Sequence, residues 1–350
     1  MITNFLIDSR YGGPQMILNH LNKKISYKKK NIFFDKKYKK IVFSDYKKLN
    51  KFFFLIDIIC NLFTLFSNRE LFKESKIFFV YSVVNIVPII FGIILKKKII
   101  WYILEKPNYI FSLSAKFLGK YSNIKFLCIS KSIAKFLKIK NYDIYFPTID
   151  TTYWDYKFKY KQEKNLKKIY ITCVGNLNKT KNHYQLIQFL EKTSIKYKLN
   201  IVGKKLENQK KYFNKLIFLA KKINFINPGS ITIHENKKKK FIKNILKKTD
   251  IYILPSKSEG LSISLAEAMS MSKLCLISEN SNHSKIIKNN FNGFEFKLNF
   301  ISFKNNLTKI MNLNDIKRKK IMKNSRITII KHIKKNKILE GKLKISLFKS

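Results

Sequence analysis

Short apolar runs separated by polar, lysine-rich stretches recur along the chain. Each is too short for a stable helix and reads as a strand buried on both faces. In the first half these runs fall at 4–7, 40–43, 77–81, 99–104 and 125–129, with a helical pattern at 14–21. A second series occupies 169–174, 199–202, 224–226, 251–254 and 274–277. Strand-like runs alternating with helical stretches predict parallel sheets with helices on both faces, an α/β class. The two series are separated by residues 145–154, Tyr-Phe-Pro-Thr-Ile-Asp-Thr-Thr-Tyr-Trp, and the polar run 157–168, which together read as an interdomain linker. The expected domains are therefore 1–155 and 156–325. The lysine-rich helical pattern that starts near Ile316 supplies a closing basic helix over 326–350.

The one segment that resembles a membrane span is 77–95, almost free of charge. Ser82, Asn85 and Pro88 interrupt it, and it parses better as a strand at 77–82 and a helix at 83–95, leading to a strand at 98–104. That is a βαβ crossover. The first residues, Met1-Ile-Thr-Asn-Phe-Leu-Ile-Asp, lack the basic start and longer apolar core of a signal peptide and read as a first strand.

Charge changes the picture less than its size suggests. The chain has 350 residues and a formal net charge of +51, yet only Arg10, Arg69, Arg318 and Arg326 among its 72 basic residues are arginine. A nucleic-acid reader would favour arginine for bidentate contacts and would carry a recognisable module, and neither is present. No specific nucleic acid is expected as a partner. Abundant Lys, Asn, Ile and Phe with scarce Ala, Gly, Pro and Arg is the signature of an AT-rich coding sequence. Lysines near an anionic leaflet still contribute attraction, so peripheral binding to an anionic membrane surface costs this chain little. Cys60, Cys128, Cys173 and Cys275 form no Cys-x-x-Cys pair and read as mostly buried, reduced thiols. With the absent leader, they point to the cytoplasm, peripheral at the inner face of the membrane.

The chemistry concentrates in residues 250–268. The apolar run at 251–254 is broken by Pro255-Ser256, and Lys257-Ser258-Glu259-Gly260-Leu261 leads to a helix that Ser262 or Ser264 can cap and that contains Glu267. Free amides at that helix start suit an anionic diphosphate beyond the carboxyl end of a strand. Gly12-Gly13, before a helix opened by Pro14, either lets backbone approach a ligand or simply makes a tight turn. Val174-Gly175-Asn176, running to Lys181, also ends a strand and enters a helix.

Glu259 and Glu267, set in Pro-Ser-x-x-Glu-Gly and followed by Ala268-Met269, resemble the Glu-x7-Glu donor signature of the retaining family 4 glycosyltransferases of the GT-B fold. The resemblance covers about 168–296 and is diffuse before it. It implies two Rossmann-like doubly wound domains facing a cleft: an acceptor-side domain first, then a nucleotide-sugar-binding domain. It further implies that Lys181 holds the donor diphosphate, that Glu259 binds the sugar and favours an oxocarbenium-like state, and that Glu267 accepts both ribose hydroxyls. Gly12, Gly13, Gly175, Asn176, Gly203, Ser258, Gly260, Leu261, Ser262 and Ser264 complete the expected donor site. Glu105 would lie on the acceptor or donor-sugar side. Three positions depart from the family pattern: Asn176 replaces an arginine, Lys205 a glycine, and Leu104 a histidine that touches the donor sugar.

The expected activity is a hexosyltransferase-type transfer from a nucleotide-diphosphate sugar to a glycan or lipid-linked acceptor, in surface polysaccharide or lipopolysaccharide synthesis. The nucleotide sugar is a co-substrate, and no further cofactor is expected. No Asp-x-Asp metal motif occurs in the chain, so metal-independent transfer is preferred. Asn176 and Leu104 leave a competing reading, a non-catalytic GT-B relative that binds sugar nucleotide or a membrane surface.

Overall fold

The computed structural model describes residues 1–6, 29–33, 54–104, 109–146, 149–155, 168–260, 262–282 and 284–348. They form two compact units, one of Met1–Thr148 with Lys335–Ser350, the other of Ile149–Lys334.

The first unit contains β1 (Ile2–Leu6), β2 (Lys29–Phe33), β3 (Ile77–Tyr81), β4 (Lys98–Ile103), β5 (Ile124–Cys128) and β6 (Tyr142–Ile144). All pair in parallel, in the order β2-β1-β3-β4-β5-β6. Its helices are α1 (Phe54–Ser67), α2 (Val87–Ile94), α3 (Tyr109–Leu118) and α4 (Lys131–Phe136). Every residue of β3 is buried, which is why its pattern is continuous rather than alternating. The segment 77–95 is thus strand, turn and helix, with Pro88 in the first turn of α2, where a missing N–H costs nothing. No described helix is long and apolar enough to cross a membrane. Phe5, Phe72, Phe78 and Phe91 form an aromatic core, with Phe5 and Phe78 edge to face at 5.0 Å and Phe72 and Phe91 at 5.4 Å.

The last helix, α10 (Asp315–Phe348), contributes its end to this unit. Tyr145 Oη donates to Glu340 at 2.8 Å, and the Asn336 amide pairs with both backbone groups of Phe146. These buried polar contacts fix the helix end where apolar packing alone would let it slide.

The second unit contains β7 (Ile169–Val174), β8 (Tyr197–Gly203), β9 (Ile231–Glu235), β10 (Ile251–Leu254), β11 (Leu274–Ser278) and β12 (Phe294–Phe296), parallel in the order β12-β11-β10-β7-β8-β9. Its helices are α5 (His183–Glu191), α6 (Lys210–Ile226), α7 (Lys239–Lys247), α8 (Ile263–Ser270) and α9 (Phe300–Met311), with the first part of α10. Residues 224–226, expected as a strand, are the last turn of α6, and the strand is β9. Tyr212, Phe213, Leu216, Ala220 and Ile223 bury one helical stripe, so the local Asn-Phe-Ile run continues a longer helix. The expected strand at 40–43 and helix at 14–21 lie outside the described residues. Cys128, Cys173 and Cys275 are buried and Cys60 is exposed. Burial pushes the thiols of Cys128 and Cys173 up to about 12, so both are protonated and inert.

Candidate functional site

The loop after β7 is shaped by two glycines. Gly175 N continues the ladder to Val202 O at 2.9 Å, and Gly203 ends β8 directly against it. A Cβ on Gly203 would stand 2.0 Å from the Gly175 carbonyl oxygen, and one on Gly175 would stand 3.0 Å from the Lys181 side chain. Glycine at both positions lets the strand ends close up and lets Lys181 lie across residue 175. Within the loop, Asn178 N donates to Asn176 O at 2.8 Å, and Asn178 Oδ1 accepts from Lys181 N at 2.9 Å. This side chain acts as a local turn template. Asn182 follows at φ +60, a left-handed conformation that asparagine tolerates.

Two hydrogen bonds tie this loop to the one after β10. Asn182 Nδ2 donates to Pro255 O at 3.1 Å, and Lys257 N donates to Thr180 O at 2.8 Å. Across that seam, Lys181 Nζ hydrogen-bonds Glu259 Oε1, an ion pair whose side chains are only 18% and 12% exposed. Glu259 N is held in turn by Asn280 O at 3.2 Å.

The start of α8 is fastened to the same place. Ser262 Oγ caps the helix by accepting from Leu265 N at 3.3 Å and lies 2.9 Å from Ser264 Oγ. Ser264 Oγ accepts from Tyr252 Oη and donates to Val174 O, both at 2.8 Å. Helix start and strand end are therefore joined through side chains, with the first-turn amides left over by the helix ladder beside Lys181 and Glu259.

One turn further, Glu267 is 6% exposed. Burial pushes its carboxyl up to about 8, and Lys239 at the start of α7 only partly opposes this. Among the described residues none donates a hydrogen bond to this carboxylate. His183, first residue of α5, is also fully buried, and neither ring nitrogen has a partner among the described residues. Burial, assisted by the charge of Lys181, lowers its pKa to about 3 and keeps the ring neutral.

The second unit thus places Gly175, Asn176, Lys181, Gly203, Ser258, Glu259, Gly260, Ser262, Ser264 and Glu267 around the carboxyl ends of β7, β8 and β10 and the first turns of α8. Ser258 is exposed and Gly260 half-buried in the β10–α8 turn. Gly12, Gly13, Glu105 and Leu261 lie outside the described residues. Leu104 packs half-buried against the first unit's core. Lys205 bridges to Leu177 and rests its ammonium 4.5 Å from the Phe213 ring. Asn178, Asn182 and Tyr252 were not legible as site residues. Their signals were weak: two asparagines before a helix, and a lone polar tip inside a buried strand. Among the described residues no group of three His, Cys, Asp or Glu could hold a metal ion.

The model of the family described as Glycosyl transferases group 1 matches residues 156–328. Over 70 residues the chain is 40% identical to the Escherichia coli UDP-Gal:alpha-D-GlcNAc-diphosphoundecaprenol alpha-1,3-galactosyltransferase, which is 20% of this chain and 18% of that protein. Among solved structures, Anabaena HepE in complex with UDP superposes with a TM-score of 0.75 at 13% identity, covering 98% of this chain and 99% of that one. A glycosyltransferase from Rickettsia africae gives 0.70 at 17%, covering 97% of each. Sucrose-phosphate synthase from Thermosynechococcus elongatus gives 0.75 at 10%, covering 99% and 98%. At such identities the structures speak for the fold alone, and that fold is GT-B. Residues 156–328 are thus similar to the glycosyl transferases group 1 family, and the described chain has the GT-B fold.

Proposed function

We propose that the protein is a retaining, metal-independent glycosyltransferase that moves a hexose from a nucleotide-diphosphate donor to a glycan or lipid-linked acceptor, at a membrane surface, in cell-surface polysaccharide synthesis. The reading is carried by one arrangement. Lys181 and Glu259 meet beside the capped start of α8, while Glu267 on the same helix is buried with no hydrogen-bond donor among the described residues.

Breaking a sugar–phosphate bond builds positive charge at the anomeric carbon and negative charge on the departing diphosphate. Lys181 and the first-turn amides of α8 stabilise the second charge. Lysine serves as a point charge there, and Asn176 in the arginine position leaves Lys181 the cation of this loop nearest Glu259. Glu259 faces the sugar and favours the oxocarbenium-like state. Glu267 has two acceptor oxygens that suit the paired hydroxyls of a ribose. Those donors stabilise the carboxylate that burial alone disfavours. The E. coli relative's name specifies UDP-Gal and a diphosphoundecaprenol-linked acceptor, and the HepE structure carries UDP, so UDP sugars and lipid diphosphate acceptors come first in the search.

The test is UDP release from UDP-sugars by purified protein without added metal. Wild type turns the donor over and Glu259→Gln does not; equal rates in both would reject the assignment. Stabilisation by UDP without turnover of any donor or acceptor would instead support the non-catalytic relative.

A further inference from the structure

We infer that the first unit docks on an anionic lipid membrane through the helix-covered face of its sheet, with α1 and α3 as the inserting elements. This gives the membrane surface of the preceding reading a location and rests on that reading only for the use of a lipid-linked acceptor. The observation is an excess of exposed apolar side chains arranged by helical period. On α3, Tyr109, Leu113 and Phe117 recur every fourth residue and are 76%, 48% and 63% exposed, with Tyr121 exposed just beyond. On α1, Ile56, Ile59 and Phe63 form a second exposed stripe, Phe63 at 73%. The opposite side of α1 is buried at Asn61 and Leu65, so this helix carries apolar side chains both on the side that packs and on the side that is exposed.

Both stripes lie on one face of the sheet. The steps β3 to β4 and β4 to β5 run in one direction across it, and right-handed crossovers put α2 and α3 on the same side. α1 packs on α2, with the Phe66 and Phe91 rings edge to face at 5.1 Å. Ile94 at the end of α2 and Phe136 at the end of α4 add exposed apolar area there. Exposed apolar area gathered on one face in this way marks an interaction surface.

Charge selects the occupant. Residues 75–142 contain twelve lysines against the single acid Glu105. Lys116 and Lys120 flank the α3 stripe, and the Lys120 ammonium sits 5.7 Å from the Phe117 ring. A second copy of the chain would bring the same lysines and be repelled. Apolar and aromatic side chains framed by lysine match the interfacial helices that sink their apolar face to the headgroup boundary while cations hold anionic lipid.

The experiment is flotation of the full chain with vesicles of phosphatidylcholine alone or mixed with phosphatidylglycerol. Wild type should float with the mixed vesicles and not with phosphatidylcholine alone. Phe63→Ser combined with Phe117→Ser should lower partitioning about tenfold or more, as loss of two buried aromatic side chains requires. Phe225→Ser, which removes a 91% exposed aromatic from α6 of the second unit, should float like wild type. Both variant sites are exposed, and unchanged UDP-dependent stabilisation with an unchanged circular dichroism spectrum would show that the variants fold. Equal flotation of the double variant and wild type, absence of binding to the mixed vesicles, or a dimer in light scattering that the double variant abolishes would each overturn the inference. Flotation that survives in a protein with no donor turnover would leave it standing while the transferase reading falls.

Discussion

Lys181 and Glu259, 78 residues apart in the chain, are hydrogen-bonded to each other at the carboxyl ends of two strands whose loops are tied by two hydrogen bonds. A partly buried pair stabilises little net of desolvation, but removing one member strands the other. Lys181→Ala should therefore destabilise the protein by about 1–3 kcal/mol, and adding Glu259→Gln should recover part of the loss. UDP-dependent thermal stabilisation should vanish in Lys181→Ala and stay absent in the double variant. Urea unfolding of the four proteins, with and without UDP, gives the coupling. Additive losses would mean that the pair is not formed in solution.

Gly203 offers a test that is purely steric. With 2.0 Å between a new Cβ and the Gly175 carbonyl, Gly203→Ala must separate two strand ends held by the Gly175 N to Val202 O bond. The expected cost is about 3 kcal/mol or more. Gly229→Ala is the contrast, since its Cβ would meet nothing within 4 Å and only its φ of +69 opposes alanine. That change should cost about 1 kcal/mol. Similar melting temperatures for the two variants would contradict the close approach at Gly203.

The second unit was more legible than the first for a physical reason. Central parallel strands such as β7 and β10 are buried on both faces, so their boundaries coincide with the ends of apolar runs, and both fall where the pattern puts them. Edge strands β2, β6 and β12 were not read, because short edge strands lack a clean period; α1, a largely apolar run without a lysine, was not read either. The motif placed Lys181 and Glu259 near one another, but spacing along the chain carries no distance between loops, so their direct contact was not foreseen. Nor was the hydrogen-bonding role of Tyr252, whose strand reads simply as apolar.

Tyr252 and Ser264 should respond asymmetrically. Tyr252→Phe removes one donor to Ser264 Oγ, which keeps its own bond to Val174 O, so the loss should be about 1 kcal/mol. Ser264→Ala leaves the buried Tyr252 hydroxyl with only the 3.4 Å contact to Val174 O and frees the start of α8. It should cost about 2 kcal/mol and weaken UDP binding as well, because the helix amides lose their anchor. Denaturant midpoints and UDP titrations of both variants decide; a larger loss in Tyr252→Phe would contradict the network.

Three buried groups in the second unit should give stability an uneven dependence on pH. His183, lowered to about 3, binds its proton more readily unfolded, so its contribution makes stability rise with pH from about 3 to its ordinary 6.5. Glu267, raised from 4.5 to about 8, keeps a proton that the unfolded chain has lost, so its contribution falls across that interval. Where the intervals overlap, the slopes oppose, and the protein should look insensitive to pH. From 6.5 to about 8 Glu267 acts unopposed, and stability should fall by up to about 1.4 kcal/mol per pH unit. Lys273, buried under the carbonyls of Lys247 and Thr249 and lowered to about 8, then reverses the trend as pH rises toward 10.5. Glu267→Gln should remove the decline between pH 6.5 and 8 and expose the rising His183 slope below it. His183→Leu should do the opposite, revealing a fall that begins near pH 4.5. Unfolding free energies of the three proteins from pH 4 to 9 test this, and parallel curves for Glu267→Gln and wild type would show that Glu267 ionises freely in the folded protein.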